Sequence, residues 1–360
     1  MCETLVSTPK RSAALDTLEQ LDQRPPDTSE TLVLKRVHEP KKNLQKRARA
    51  KQFSFAIGKA LYAQGGPLKR AYGRGMDCTS TIVQEADGST RTHYCGSRWC
   101  MVCNRIRTAK AISAYLPAIE AWGDDAYFVT LTVPNCRGYE IRDTVSGMNA
   151  AFTSCKRAIK RTHGLSFEAI RKLEITYNAE KDTYHPHFHI VVNGEVEARA
   201  LVSLWMDRTP SAVSAAAQDV RPVKGGAVKE MFKYFTKLTT QDKKGRTGVN
   251  AAALNVIFTE IKGLRTYQPV GFKIRDYAMQ TDLFDPDGEL NTENVSKAFK
   301  RHGETVNWIW EQDYSDWVDW ETGECLTEYT PTPKWTELCD SIAAQAETQD
   351  TPITEVITRE

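Results

Sequence analysis

The sequence predicts an α+β fold built on a mostly antiparallel sheet, and three observations carry that expectation. Short runs rich in β-branched and aromatic residues alternate with longer stretches of helical periodicity. Two of those runs, around residues 171–177 and 185–192, are joined by the polar turn Asn-Ala-Glu-Lys-Asp, so they pair as a hairpin. With 360 residues and 41 % hydrophobic content, the chain can also bury a sizeable core.

Taken in order, residues 1–40 mix Thr, Ser, Pro and charges without periodicity and read as a mobile arm. Residues 41–75 form a basic helical segment, with Phe53, Ile57 and Leu61 at four-residue spacing and a stop at Gly65, Gly66 and Pro67. A cysteine-bearing segment, 76–110, leads into a helix from about Arg105 to Trp122, which Gly123 ends. Within the sheet domain, expected over 111–275, residues 126–133 make a strand stopped by Pro134 and Asn135. An amphipathic helix follows from about Arg142 to Thr162, then the hairpin, which Asn193 and Gly194 close. A helix over Val196 to Asp207, a short strand near Asp219 to Val223 and a helix from about Ala227 to Leu238 complete this part. Residues 276–340 are acidic and Trp-rich, 341–360 read as a disordered tail, and no internal repeat is visible.

The overall charge of +2 conceals a strong asymmetry. From Gly303 onward, 58 residues carry 14 acidic and 2 basic side chains, a net −12 that leaves +14 on residues 1–302. Residues 41–74 alone hold ten Lys or Arg and no Asp or Glu. A positive body favours a polyanionic partner, nucleic acid foremost, and the acidic end is expected to moderate its non-specific binding. The N-terminus has no apolar signal region and no apolar run reaches about eighteen residues, so an intracellular location and no membrane are expected. Nine cysteines are too few for a disulfide scaffold in a chain this long, but four of them gather between Cys78 and Cys103.

The sharpest chemical signal is His185-Pro-His187-Phe-His189, which holds three of the seven histidines. On a strand, alternate residues share a face, so the three imidazoles project to one side and Pro186, Phe188 and Ile190 to the other. Such a row is suited to a divalent metal with positions left open for substrate oxygens. Glu174, on the preceding strand, falls opposite His187 or His189 and adds a carboxylate suited to Mg²⁺ or Mn²⁺. In the helix that follows, Glu230, Tyr234 and Lys237 lie within about 60° of one another and form a polar stripe, with Tyr234 a candidate nucleophile. Cys78, Cys95, Cys100 and Cys103, with sixteen, four and two residues between them, suit tetrahedral Zn²⁺, with His93 the alternative to Cys78. Arg98, Arg105, Arg107, Lys110 and Lys233 are the cations expected to meet DNA.

In this order, these pieces resemble the rolling-circle plasmid replication initiators of the HUH endonuclease superfamily, in the branch with a single-tyrosine initiator. Phe128-Val-Thr-Leu-Thr is similar to the family's first motif, His185-Pro-His-Phe-His-Ile-Val-Val to its metal motif and Glu230-x-x-Lys-Tyr-x-x-Lys237 to its third. Arg98-x-Cys-x-x-Cys103-Asn resembles its cysteine segment, with Met101 where proline is usual. The likeness runs from Cys78 to Thr240 and leaves both ends uncovered. It implies a palm of the RRM or ferredoxin-like kind and a metal-dependent single-strand DNA endonuclease. His187 and His189 would be the metal pair, Tyr234 the nucleophile, Lys237 a phosphate contact and Glu230 the activator of the water that ends the cycle. The product would be a 5′-phosphotyrosine and a free 3′-hydroxyl at a single-stranded or hairpin origin.

Two rival readings differ in chemistry. An HUH transposase typically uses two tyrosines, whereas position 230 is glutamate; a relaxase places its tyrosine ahead of the histidines. For either of these, Tyr267 or Tyr277 could serve in place of Tyr234, whereas a non-catalytic zinc-dependent DNA-binding regulator would need no nucleophile at all. No phosphate loop of the Gly-x-x-x-x-Gly-Lys-Ser/Thr type occurs, so a separate host helicase and polymerase are expected partners.

Overall fold

The computed structural model describes residues 41–84, 90–162, 164, 166–209, 213–224, 231, 240–241, 247–274, 306–319 and 321–349. The predicted arm over 1–40, most of the helix around Tyr234 and the end of the tail lie outside them. Helix α1 (Lys41–Ala63) and helix α2 (Lys69–Met76) precede strands β1 (Thr81–Gln84) and β2 (Thr90–Thr92). Helix α3 (Met101–Trp122) leads to β3 (Ala126–Thr132), α4 (Ile141–Thr162), β4 (Ala169–Asn178), β5 (Thr183–Asn193) and α5 (Glu195–Arg208). There follow β6 (Asp219–Pro222), the short pair β7 (Thr240–Gln241) and β8 (Thr247–Gly248), α6 (Ala251–Glu260) and β9 (Tyr267–Val270). Strands β10 (Val306–Glu311) and β11 (Asp316–Asp319) and helix α7 (Pro333–Ala343) come last.

The fold is α+β. A five-stranded antiparallel sheet has the order β6-β3-β5-β4-β9, so the histidine strand β5 is its centre. The period-two pattern of β5 divides the molecule. Phe188, Ile190 and Val192 point into the main core beneath α4 and α5, where they meet Phe152, Ile159, Leu201 and Trp205. Val191, two residues after His189, points the other way, into a smaller cluster with Phe128, Ile170, Tyr115, Ile119 and Trp122 from α3 and with Met231. One face of the sheet is therefore sealed by two helices; the other packs in part on α3 and carries the imidazoles.

A proline in a central strand normally removes a ladder bond. Here β3 ends at Thr132, opposite His187, and its next bridge to β5 joins Cys136 to Tyr184. Tyr184 donates its N–H to Cys136, and alternate residues point the same way, so Pro186 faces the gap between those contacts. It costs the sheet nothing.

The second sheet, β11-β10-β1-β2, joins the cysteine segment to the acidic end of the chain. Trp308 and Trp317 are buried with Ile82 and Ala48, and Trp317 Nε1 donates to the Thr79 carbonyl at 2.6 Å. Residues 341–349, expected to be disordered, are ordered instead. Ile342 is fully buried, and Gln345 exchanges hydrogen bonds with Val249 and Ala251, so this stretch has both core and backbone partners. Among the described residues, no helix is long and apolar enough to cross a membrane.

Candidate metal centre and its surroundings

The β4–β5 register sets Glu174 directly opposite His187 and Lys172 opposite His189. Because residues two apart share a face, these four side chains meet on the side of the sheet that α3 partly covers. Each imidazole is anchored through Nδ1: that of His187 lies 3.0 Å from the His185 carbonyl oxygen, and that of His189 lies 3.4 Å from Thr130 Oγ1. This leaves both Nε2 atoms facing inward, 3.2 Å apart. Ligand nitrogens on one divalent ion stand about 3.0–3.4 Å apart, given metal–nitrogen bonds near 2.1 Å, so the pair has the right bite. Glu174 Oε2 is 3.4 Å from His189 Nε2, and the ligand atoms of Glu174, His187 and His189 all lie within 4.8 Å of one another.

The electrostatics fit the same use. Burial would raise the Glu174 carboxyl, but hydrogen bonding to His189 and the charge of Lys172 outweigh it and hold the group down at about 2. Burial lowers His187 to about 4 against the opposing pull of Glu174, so its ring is neutral and available as a ligand near pH 7. His185 stacks on His187 with ring centroids 5.0 Å apart, but it stands outside the three-residue ligand group. Its backbone carbonyl, not its ring, contacts the site.

Lys172 escaped sequence reasoning. It is fully buried and its Nζ lies 3.0 Å from Glu174 Oε2. A strand lysine normally reads as solvated, and the signal that would find it is the period-two match with Glu174, which commits both to one face.

Glu230, Lys233, Tyr234 and Lys237 lie outside the described residues. Their neighbour Met231 is described: it is fully buried against Phe128, Ile170 and Val191, on the face that bears the histidines, and its carbonyl accepts from Tyr267 Oη at 3.1 Å. Tyr267 itself is engaged in that bond, and burial pushes its phenol well above the usual range, which makes it a poor alternative nucleophile.

The four predicted cysteines converge, within 4.8 Å of one another. Cys103 Sγ is 3.5 Å from Cys78 Sγ and 3.7 Å from Cys95 Sγ, near the about 3.8 Å expected between thiolates on one tetrahedral zinc. Cys78, fully buried, belongs to the group, whereas His93 is exposed and does not. Hydrogen bonding among the sulfurs, that from Cys100 foremost, pushes Cys78 and Cys103 up and holds Cys95 down. A cation would relieve that conflict by taking all four as thiolates.

The arginines expected to meet DNA have intramolecular duties. Arg98 donates to the Ile261 and Leu264 carbonyls at 3.3 and 2.7 Å, Arg105 to that of Lys46 at 2.6 Å and Arg107 to that of Gly96 at 2.7 Å. They brace the cysteine segment against α6 and α1. Lys110 is partly buried, which lowers its ammonium to about 8.

Residues 89–197 match the family described as Replication protein, a span that takes in Cys95, Cys100, Cys103, Glu174 and the histidines but neither Cys78 nor Tyr234. The match agrees with the resemblance to plasmid initiators drawn from the motifs. Among curated relatives, it is 34 % identical over 155 residues to Protein rep of Bacillus sp, covering 38 % of this chain and 48 % of that protein. It is 33 % identical over 153 residues to Protein rep of Bacillus amyloliquefaciens, covering 38 % and 43 %. To Protein rep of Staphylococcus aureus it is 26 % identical over 183 residues, 45 % of this chain and 80 % of that one. The chain thus spans just under half the length of the first two. No solved structure matches it.

Proposed function

We propose that this chain initiates rolling-circle replication of a plasmid by nicking one strand of an origin through Tyr234. The observation that carries the reading is the bite of His187, His189 and Glu174 on a sheet face that Met231 also packs against, within and just beyond the matched span. Tyr234 follows Met231 by three residues, so its backbone is within about 11 Å of it even if the chain is fully extended.

A divalent ion on the three ligands, Mg²⁺ or Mn²⁺, would offset phosphate charge and assist the leaving oxygen. Anchored through their Nδ1 atoms, the imidazoles hold their geometry without reorganising, and Glu174 stays ionised. The Tyr234 oxygen attacks phosphorus, the bond to the 3′ oxygen breaks, and that oxygen leaves as the 3′-hydroxyl that a polymerase extends. The phenolic proton passes to solvent and the departing 3′ oxygen takes up one in return, with Lys233 and Lys237 the nearby cations in sequence that favour phenolate. Glu230, one helical turn before Tyr234 in the predicted helix, accepts a proton from the water that ends the cycle. Zn²⁺ on Cys78, Cys95, Cys100 and Cys103 is structural, and unwinding falls to a separate helicase.

The test is a nicking assay on single-stranded origin DNA with trapping of the protein–DNA adduct. Tyr234→Phe is expected to lose the adduct with fold and DNA binding intact, and His187→Ala with His189→Ala to lose metal-dependent nicking. Undiminished adduct in Tyr234→Phe would overturn the assignment.

A further inference from the structure

Lys172 and Glu174 form a buried ion pair inside the candidate metal centre, with side chains 0 % and 4 % exposed. The pair lies on the ligand-bearing face, Lys172 opposite His189 and Glu174 opposite His187, and the oxygen that meets Lys172 Nζ also meets His189 Nε2. Two imidazoles and one carboxylate give an incoming dication a single negative charge, and the ammonium already offsets it. Charge count governs how tightly hard cations are held, and Mg²⁺ sites of one or two carboxylates depend on substrate phosphate to complete them. We propose that Lys172 is a positioning residue whose ammonium pins Glu174 and offsets its charge, so that the site holds a divalent cation tightly only when a DNA phosphate supplies the missing negative charge. The inference rests on Glu174, His187 and His189 being metal ligands.

Metal uptake and DNA binding are then coupled, and free protein does not carry a charged, reactive centre. The sign of one measurement separates this from plain orientation. Removing a partner that only orients a ligand loosens the metal, by roughly 10–100-fold. Removing a partner that offsets charge tightens it.

Mn²⁺ affinity is measured by calorimetry on the full chain, Lys172→Gln and Lys172→Met, each with and without a single-stranded oligonucleotide whose own uptake is subtracted; thermal melts report the fold. The wild-type chain is expected to bind Mn²⁺ weakly alone and at least about tenfold more tightly with the oligonucleotide. Lys172→Gln, which keeps a hydrogen-bond donor without the charge, is expected to bind Mn²⁺ alone about tenfold more tightly than wild type and to gain less from DNA. Variants that bind no more tightly than wild type, or wild-type affinity indifferent to the oligonucleotide, overturn the proposal. If Lys172→Met fails to fold, those two comparisons still decide. No uptake by any chain, with or without DNA, brings down the metal-centre reading itself.

Discussion

Lys51 shows how a single side chain serves two elements. It lies in the middle of α1, fully buried, and its Nζ donates to the Met76 carbonyl at 2.5 Å and to Ser80 Oγ at 2.9 Å, tying the helix to the segment around Cys78. Burial lowers its pKa, while the charges of Cys78 and Cys100 act to keep it protonated. The thiols give up their protons when Zn²⁺ binds, so, unlike the site of the already ionised Glu174, this one becomes more negative, to about −2, and a fixed ammonium favours the bound form. Lys51→Met is therefore expected to lose zinc to a competing chelator roughly 10–100-fold more readily than the parent, as followed by a chromogenic zinc indicator. Equal retention would reduce Lys51 to a strut between α1 and the Met76–Ser80 turn.

Among the elements, Trp317 concentrates the packing of the second sheet. It is fully buried with Ile82 and Trp308, and the neighbouring Asp316 carboxylate accepts from the backbone N–H groups of Trp317, Thr327 and Tyr329. Trp317→Ala is expected to cost about 3–5 kcal/mol, read as a drop in the urea midpoint. A loss below about 1 kcal/mol would mean that β10 and β11 are an appendage. Zinc removal acts on the neighbouring element: α3 starts immediately after Cys100, and its first N–H donates to Ser54 Oγ on α1 at 2.8 Å. Chelation should therefore lower the melting temperature and speed hydrogen exchange in the first turn of α3, while unchanged exchange there would disconnect the site from the helix. These contacts also mark what was legible in sequence. The strands β3, β4 and β5 and the helices α4 and α5 announced themselves by local periodicity, and Glu174 with the histidines by their alternation. β1 and β10 did not, because their pairing joins residues more than 200 positions apart, as in Ile82 with Trp308, and each is too short to show a period alone. The cysteine cluster was visible from spacing, but the choice of Cys78 over His93 needed the fold.

At the scale of the whole molecule, the charge asymmetry and the packing pull in different directions. The acidic end is seated on basic α1: Trp335 stacks on Phe53 with ring centroids 5.6 Å apart, Arg49 lies 4.1 Å above the Trp335 ring, and Gln45 donates to the Thr327 carbonyl at 3.0 Å. Truncation at Gly303 would thus strip a sheet edge and a helix from the core, and is expected to unfold the N-terminal helices instead of reporting on charge. A gentler change isolates the field. Glu311, Asp313, Glu321, Glu324 and Glu328 are exposed, whereas Asp316 is buried and holds the loop. Replacing those five by Gln or Asn leaves every buried contact and removes five negative charges from the side of the molecule that adjoins α1. If the acidic surface competes with DNA for the basic body, the variant should bind random single-stranded DNA more tightly at low salt, by roughly tenfold or about 1.4 kcal/mol. Because the competition acts through solvent, the gain should vanish near 1 M salt, where the screening length falls to about 3 Å. Unchanged affinity at low salt, with an unchanged melting temperature, would leave the acidic surface as a solvated face with no bearing on DNA.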